Sequence, residues 1–328
     1  NSMITISRTL NCGTEFHKQL IGTCWKIKII THMRHILLSQ PNFRIGQGSF
    51  ESYWLPYSVG CLWAYAQQHD WVHEQYTVRD IVFRRHNIDA YVRDLESVDV
   101  AFFSLYMWNR NYTHHLAQAV RAKYPHCVIV YGGPEVPNPV PKGWLDQHPW
   151  IDTVVLNEGE RPFVDILHTV AEGGTVQSEY QGSRMDDLDV PSPYTTGVFD
   201  AIVEDNPNVQ FNATLETNRG CPFSCTFCDW GSLTYSKIKQ FPMHKVMAEL
   251  DWMAENRMEY VTIADANFGV LYKRDMQITD RLIELQQDTG YPTVVNATWY
   301  KNSSDKVLEI VKKFARSGFN RGMTLSMQ

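Results

Sequence analysis

The sequence has no uninterrupted apolar run approaching the ~20 residues that a bilayer-spanning helix requires. Its most apolar early stretch, residues 27–38, is broken by Lys28, His32, Arg34 and His35, which argues against both a span and a secretory signal. Basic character is also lacking: 30 Lys and Arg against 36 Asp and Glu leave a formal net charge of -6. A nucleic-acid surface is usually basic, so neither a nucleic-acid nor a membrane partner is expected. Cysteine is sparse. Of the seven, Cys12, Cys24, Cys61 and Cys127 show no disulfide-like spacing, which fits a reducing cytoplasm.

The other three cysteines stand together. Cys221, Cys225 and Cys228 form a C-x-x-x-C-x-x-C spacing directly after a strand-like run at 211–215. Thiolates are soft ligands that suit iron–sulfur clusters or zinc. Three on one short loop can hold three irons of a [4Fe–4S] cluster and leave the fourth open, as catalytic metal sites do. Pro222 stiffens the loop, and Gly220 and Gly231 let the backbone turn closely around a bulky cluster. A zinc site would need a fourth ligand, for which His244 is the nearest downstream residue. An electron-transfer cluster would normally need a fourth cysteine, and no obvious one is present.

This spacing, with Phe227 just before the last cysteine, resembles the signature of the radical S-adenosylmethionine (radical SAM) enzymes. The resemblance implies that SAM chelates the open iron through its amino and carboxylate groups. It implies that the reduced cluster cleaves SAM to a 5′-deoxyadenosyl radical, with a low-potential electron donor such as flavodoxin or ferredoxin as partner.

Upstream, strands and helices alternate from Met33. Strands are predicted at 36–39, 76–82, 98–105, 127–131 and 151–156, with a loop over 40–48. Helices are predicted at 57–68 and 114–124, and another opens at Arg161-Pro162 and ends at Gly173-Gly174. The nearly continuous apolar strands mark parallel strands buried on both faces. An α/β, Rossmann-like, doubly wound parallel sheet is therefore predicted for residues 33–174. Residues 1–32 carry no sustained period and read as an extension outside the fold. Residues 175–205, rich in Pro, Ser, Gly and Asp, read as a linker, with Pro191-Ser192-Pro193-Tyr194 as solvated loop.

Ligands of such sheets bind beyond the carboxyl ends of the strands. There fall residues 104–109, Gly132-Gly133-Pro134-Glu135 and Glu158-Gly159-Glu160. Taken singly each makes a turn. With the cysteine loop downstream, they resemble the cobalamin-binding domain that precedes many radical SAM barrels. The resemblance puts Ser104 and Gly132-Gly133 against the cofactor's lower face and nucleotide tail. It puts Pro41, Asn42, Leu105, Tyr106, Pro134, Glu158, Gly159 and Glu160 beside them. Close backbone approach to a flat corrin calls for glycine. The D-x-H-x-x-G sequence that gives cobalt a histidine in other cobalamin proteins is replaced by residues 40–46, QPNFRIG. A bound cobalt would lack a histidine from this loop.

From 206 the alternation resumes, with strands at 211–215, 260–264 and 293–299 and helices at 245–257 and 275–288. A third helix is capped by Ser303 or Ser304, and 320–328 would be a fourth strand. The resemblance makes this a partial (β/α) radical SAM TIM-like barrel over 206–328, with functional residues at the carboxyl ends of its strands. Asp265, Asn267 and Phe268 occupy that place and resemble the family's D-x-N-F stretch, near the SAM amino group and methionine moiety. A carboxylate there would hold an ammonium; its other reading is a turn cap. Ser326 and Gln328 match positions that touch the SAM ribose. Radical SAM barrels usually have six βα units, so the chain reads as a fragment of a longer protein, poorly soluble or inactive alone.

The resemblance implies a cobalamin-dependent radical SAM enzyme, a methyltransferase acting on an unactivated carbon of a small-molecule or peptide substrate. One SAM would methylate reduced cobalamin and a second would be cleaved at the cluster. The alternative is cyclisation, oxidation or rearrangement with the same cofactors. A tRNA methylthiotransferase would need a second cysteine trio and a basic RNA-binding module, neither of which fits. No catalytic acid or base is named.

Overall fold

The computed structural model describes residues 33–45, 51–223, 225, 237–301 and 305–319. Expectations for residues 1–32, Phe227, Cys228, Ser303, Ser304, Ser326 and the strand at 320–328 lie outside the described residues.

Strands β1 (Arg34–Asn42), β3 (Tyr76–Arg84), β4 (Val100–Ser104), β5 (Val128–Gly132), β6 (Thr153–Leu156) and β7 (Glu179–Gln181) form a six-stranded sheet. Its order is β3-β1-β4-β5-β6-β7 and every pairing is parallel. Helices α1 (Tyr57–Ala66), α2 (Asp70–Gln75), α3 (Ile88–Asp94), α4 (Arg110–Lys123) and α5 (Glu160–Ala171) complete this lobe. Every residue of β4 is buried, as two-sided cover demands. Successive side chains alternate between faces. Thus Phe102 and Val130 pack in one core cluster with Phe163 and Ile166 of α5, while Phe103 and Ile129 pack in another with Leu116 and Val120 of α4. The predicted doubly wound sheet is present.

A second parallel sheet has the order β12-β11-β8-β2, from β2 (Glu51–Trp54), β8 (Val209–Leu215), β11 (Tyr260–Phe268) and β12 (Val294–Trp299). Helices α6 (Asp200–Asp205), α7 (Met243–Glu255), α8 (Tyr272–Thr289) and α9 (Asp305–Ser317) accompany it. This is the βα succession of a partial barrel. The sheet carries one strand not predicted from the sequence: β2 leaves the first lobe and pairs with β8, Tyr53 opposite Phe211. The apolar cores of the two sheets merge accordingly, in a cluster that contains both Phe102 and Val261.

Three local expectations are corrected. Gln40, Pro41 and Asn42 belong to β1, not to a loop, because β3 runs alongside as far as Arg84 opposite Asn42. The stretch read as a linker supplies β7, parallel to β6. Tyr194 is fully buried rather than solvated; its ring stacks on Tyr57 at 5.9 Å and its hydroxyl donates to the Thr214 carbonyl at 2.6 Å. A phenol supplies apolar area and a polar tip that must be paired when buried. Among the described residues no helix is long and apolar enough to cross a membrane.

Candidate cofactor cleft

Between the two sheets lies a cleft of about 1670 Å³ at the carboxyl ends of their strands. Asn42, Ser104, Tyr106, Gly132, Gly133, Pro134, Glu158, Gly159 and Glu160 line it, and Glu216, Asn218, Arg219 and Gly220 line it from the second sheet. The structure therefore brings together nearly all the residues that the sequence pointed to in the first lobe. Pro41 is buried in β1 and Leu105 in the core, and neither is among the lining residues.

The two adjacent glycines differ in what the fold asks of them. Gly133 has φ +103°, and a Cβ there would lie 2.6 Å from the Leu105 carbonyl oxygen; any side chain would strain this strand end. At Gly132 a Cβ would meet only Val155, at an ordinary 3.7 Å. The fold does not require glycine at 132, and that residue lines the cleft with bare backbone. That bareness fits a large flat group approaching closely. Tyr106 caps the same wall, its hydroxyl 2.7 Å from Ser58 Oγ and its ring stacked on Trp108 at 4.4 Å.

Opposite, β8 ends at Leu215 and the chain enters a two-residue strand, β9 (Asn218–Arg219), antiparallel to β10 (Lys239–Gln240). This pairing closes the base of the cysteine loop. Asp265, at the end region of β11, grips the loop's entry. Its carboxylate accepts from Thr217 N at 2.7 Å, Asn218 N at 3.1 Å and Asn218 Nδ2 at 2.6 Å, and from the Thr217 hydroxyl. Burial pushes its pKa up to about 7, against the pull of these donors. The carboxylate predicted to hold the SAM ammonium is thus engaged with the protein's own backbone, close to the cap alternative. Arg274 supports the same turn, donating to Thr217 Oγ1 at 2.9 Å and to the Phe241 carbonyl at 2.8 Å.

Asn267, on the same strand, donates from Nδ2 to Cys221 Sγ at 3.1 Å. Lys301, just after β12, lies with Nζ 3.6 Å from Cys225 Sγ. Phe268 is fully buried against Trp299 and Phe314 and has a core position. Among the described residues no set of three or more potential ligands gathers round one point, and Cys228 lies outside them. His244, the candidate fourth zinc ligand, is exposed and 3.4 Å from Asp189. The donor set, soft thiolates with N–H donors directed at their sulfurs, fits an iron–sulfur cluster.

Arg219 joins the two walls, a role that its sequence neighbourhood alone does not show. Its guanidinium lies 2.8 Å from Glu160, 3.1 Å from Glu216 and 3.5 Å from Glu158. Burial alone would lower its pKa, but the carboxylates of Glu216, Glu160 and Glu158 outweigh it and hold the group charged. Glu158 and Glu160, assigned from the resemblance to cobalamin, are therefore also the first lobe's anchor for the cysteine loop. The available signal was a cation immediately before Gly220-Cys221 and two acids closely spaced after a strand.

No family model matches the chain. Over 292 residues it is 34% identical to the cobalamin-dependent radical SAM methyltransferase TokK of Streptomyces tokunonensis, covering 84% of this chain and 43% of that protein. It is 35% identical over 292 residues to the 2-(S-pantetheinyl)-carbapenam-3-carboxylate methyltransferase of Streptantibioticus cattleyicolor, with the same coverage of 84% and 43%. The chain thus spans less than half the length of these two curated relatives. Its fold is similar to that of the radical SAM methyltransferase TsrM of Kitasatospora setae, solved with cobalamin and a [4Fe-4S] cluster bound. The TM-score is 0.58 at 13% identity, over 88% of this chain and 57% of that one.

Proposed function

Because the chain belongs to the family of cobalamin-dependent radical SAM enzymes, we propose that it holds a [4Fe–4S] cluster, SAM and cobalamin. We propose further that the whole protein transfers a methyl group to an unactivated carbon of a small molecule. The observation that carries this is the shared cleft, with Ser104 and Gly132 on one wall and Gly220, the residue before Cys221, on the other. The two curated relatives are both methyltransferases, which supports methyl transfer over cyclisation or oxidation.

In this reading Cys221, Cys225 and Cys228 hold the cluster. Residues 33–174 offer cobalamin the bare edge at Gly132, flanked by Ser104, Tyr106 and Pro134. Residues 206–328 hold cluster and SAM, with Phe227 and Ser326 as proposed SAM contacts. When bound, these groups supply radical chemistry at an unactivated carbon and a carrier for the methyl group. The chain's own residues orient and confine: Asp265 fixes the entry to the cysteine loop, Arg219 ties that loop to the first lobe, and the apolar walls restrict water. The lack of disulfide-like spacing among Cys12, Cys24, Cys61 and Cys127 is the support for a proposed reducing, cytoplasmic setting. A low-potential donor such as flavodoxin or ferredoxin is the proposed partner.

The test is anaerobic reconstitution with iron, sulfide and hydroxocobalamin, followed by desalting. The wild-type chain should retain both cofactors, and Cys225→Ala should lose iron but keep cobalamin. Retention of cobalamin with stoichiometric zinc in place of iron would overturn the cluster assignment. For the whole protein, SAM labelled in its methyl group should yield a product heavier by one labelled methyl in place of hydrogen. An unmethylated, cyclised or oxidised product would favour the alternative.

A further inference from the structure

Two hydrogen-bond donors, one on β11 and one just after β12 of the second sheet, converge on the sulfurs of the cysteine loop. Asn267 Nδ2 lies 3.1 Å from Cys221 Sγ, and Lys301 Nζ lies 3.6 Å from Cys225 Sγ. Neither donor belongs to the loop, so the contacts are set by the sheet.

Asn267 is 2% exposed and Cys221 5% exposed, so water is largely excluded from this bond. Among the described residues the side-chain amide has no other partner: its Oδ1 is buried and unpaired. Burying an amide with half its capacity unmet costs free energy, and a leucine of similar shape would avoid that cost. A thiolate can only accept, so the amide must present its nitrogen to be paired at all. These facts point to a role at sulfur rather than in packing. Lys301 adds a donor of full positive charge, held over the Phe223 ring at 5.8 Å.

We propose that Asn267 and Lys301 tune the cluster by donating to its Cys221 and Cys225 thiolates. This rests on the cluster reading given above. Hydrogen bonds to cluster sulfurs are a principal determinant of the potential. The physical reason is that reduction adds negative charge to the cluster and its sulfurs, which N–H dipoles and an ammonium stabilise more strongly than the oxidised form. Both residues therefore make the cluster easier to reduce. They are tuning residues, and no contact with substrate is assigned to them.

The experiment compares the reconstituted wild-type chain with Asn267→Leu, Lys301→Met and the double variant. Iron and sulfide content are measured first, and then an anaerobic redox titration followed by electron paramagnetic resonance. The variants should carry as much iron as wild type, with potentials shifted to more negative values. At a fixed electrode potential the reduced-to-oxidised ratio should fall roughly five-fold per donor removed, as expected for one charge-assisted hydrogen bond partly offset by solvent. Unchanged potentials in both single variants would overturn the proposal. If Asn267→Leu fails to fold, the half-buried Lys301→Met decides alone by the same criterion. A wild-type chain that holds no cluster would remove the cluster reading, and this proposal with it, before any variant is compared.

Discussion

The guanidinium of Arg219 and the carboxylate of Glu160 meet at 2.8 Å from opposite walls of the cleft. Glu160 opens α5 just past β6 of the first sheet, and Arg219 lies on β9 just past β8 of the second. One charge-assisted pair therefore sets where the cysteine loop sits against the first lobe. Arg219 is 15% exposed, so the pair is only slightly screened.

Removing the cation leaves the carboxylates of Glu158, Glu160 and Glu216 facing one another without compensation. Arg219→Met should cost about 3 kcal/mol, the scale for breaking a mostly buried pair. Glu158→Gln should cost no more than about 1 kcal/mol, because two carboxylates still pair the arginine and burial already pushes the Glu158 pKa upward. Urea unfolding midpoints of the two variants check the order. Equal costs would contradict Arg219 as the shared partner of the three carboxylates.

The glycine pair separates fold from cofactor. Gly133→Ala forces a Cβ to 2.6 Å from a carbonyl oxygen at φ +103° and should destabilise by about 2 kcal/mol or more. Gly132→Ala meets only ordinary contacts within the protein. Its stability should stay within about 1 kcal/mol of wild type, while cobalamin retention after reconstitution should fall. Thermal melts and corrinoid content after desalting measure the two effects.

Asp265 makes the apo protein's stability depend on pH in an unusual direction. Its pKa rises from 3.8 unfolded to about 7 folded. Between those values the native state holds a proton that the unfolded chain has released. Stability is therefore greatest below that window and falls as pH rises through it, levelling off above about 7. Asp275, raised to about 6 by burial, adds a smaller slope of the same sign. Between about pH 5 and about pH 7.5, wild type should lose roughly 2–3 kcal/mol more stability than Asp265→Asn does. Urea midpoints at the two pH values would contradict this if the slopes were equal.

The Tyr194 hydroxyl donates to the Thr214 carbonyl at 2.6 Å and accepts from Thr214 N at 3.1 Å. Tyr194→Phe removes both of these hydrogen bonds and should cost about 1–3 kcal/mol. A change below about 0.3 kcal/mol in the unfolding midpoint would show that the connecting segment does not support β8.

What was legible in the sequence was local. The cysteine trio falls within one stretch, 221–228, so its chemistry could be read directly. The strands of the first sheet include apolar runs such as Val100–Ser104, and β5 runs out into Gly132-Gly133. What was not legible depends on distant partners. Strand β2 is four residues long, and only its pairing to β8 defines it. Tyr194 has the sequence surroundings of a loop, yet Tyr57 and Trp252 enclose it. Arg219 gains its meaning from acids about 60 residues away in the chain, of which Glu160 is 59 residues distant. Asp265 was found at the right strand end, but its partners Thr217 and Asn218, on the neighbouring strand's exit, could not be seen.

The most direct test of the account is the anaerobic absorption spectrum of the reconstituted, desalted chain, read with its iron, sulfide and cobalt content. The account predicts about four irons, about four sulfides and about one cobalt per chain, with the iron and sulfide lost in Cys221→Ala while cobalt remains. A wild-type chain that emerges free of iron, or whose iron survives loss of the cysteines, would contradict it.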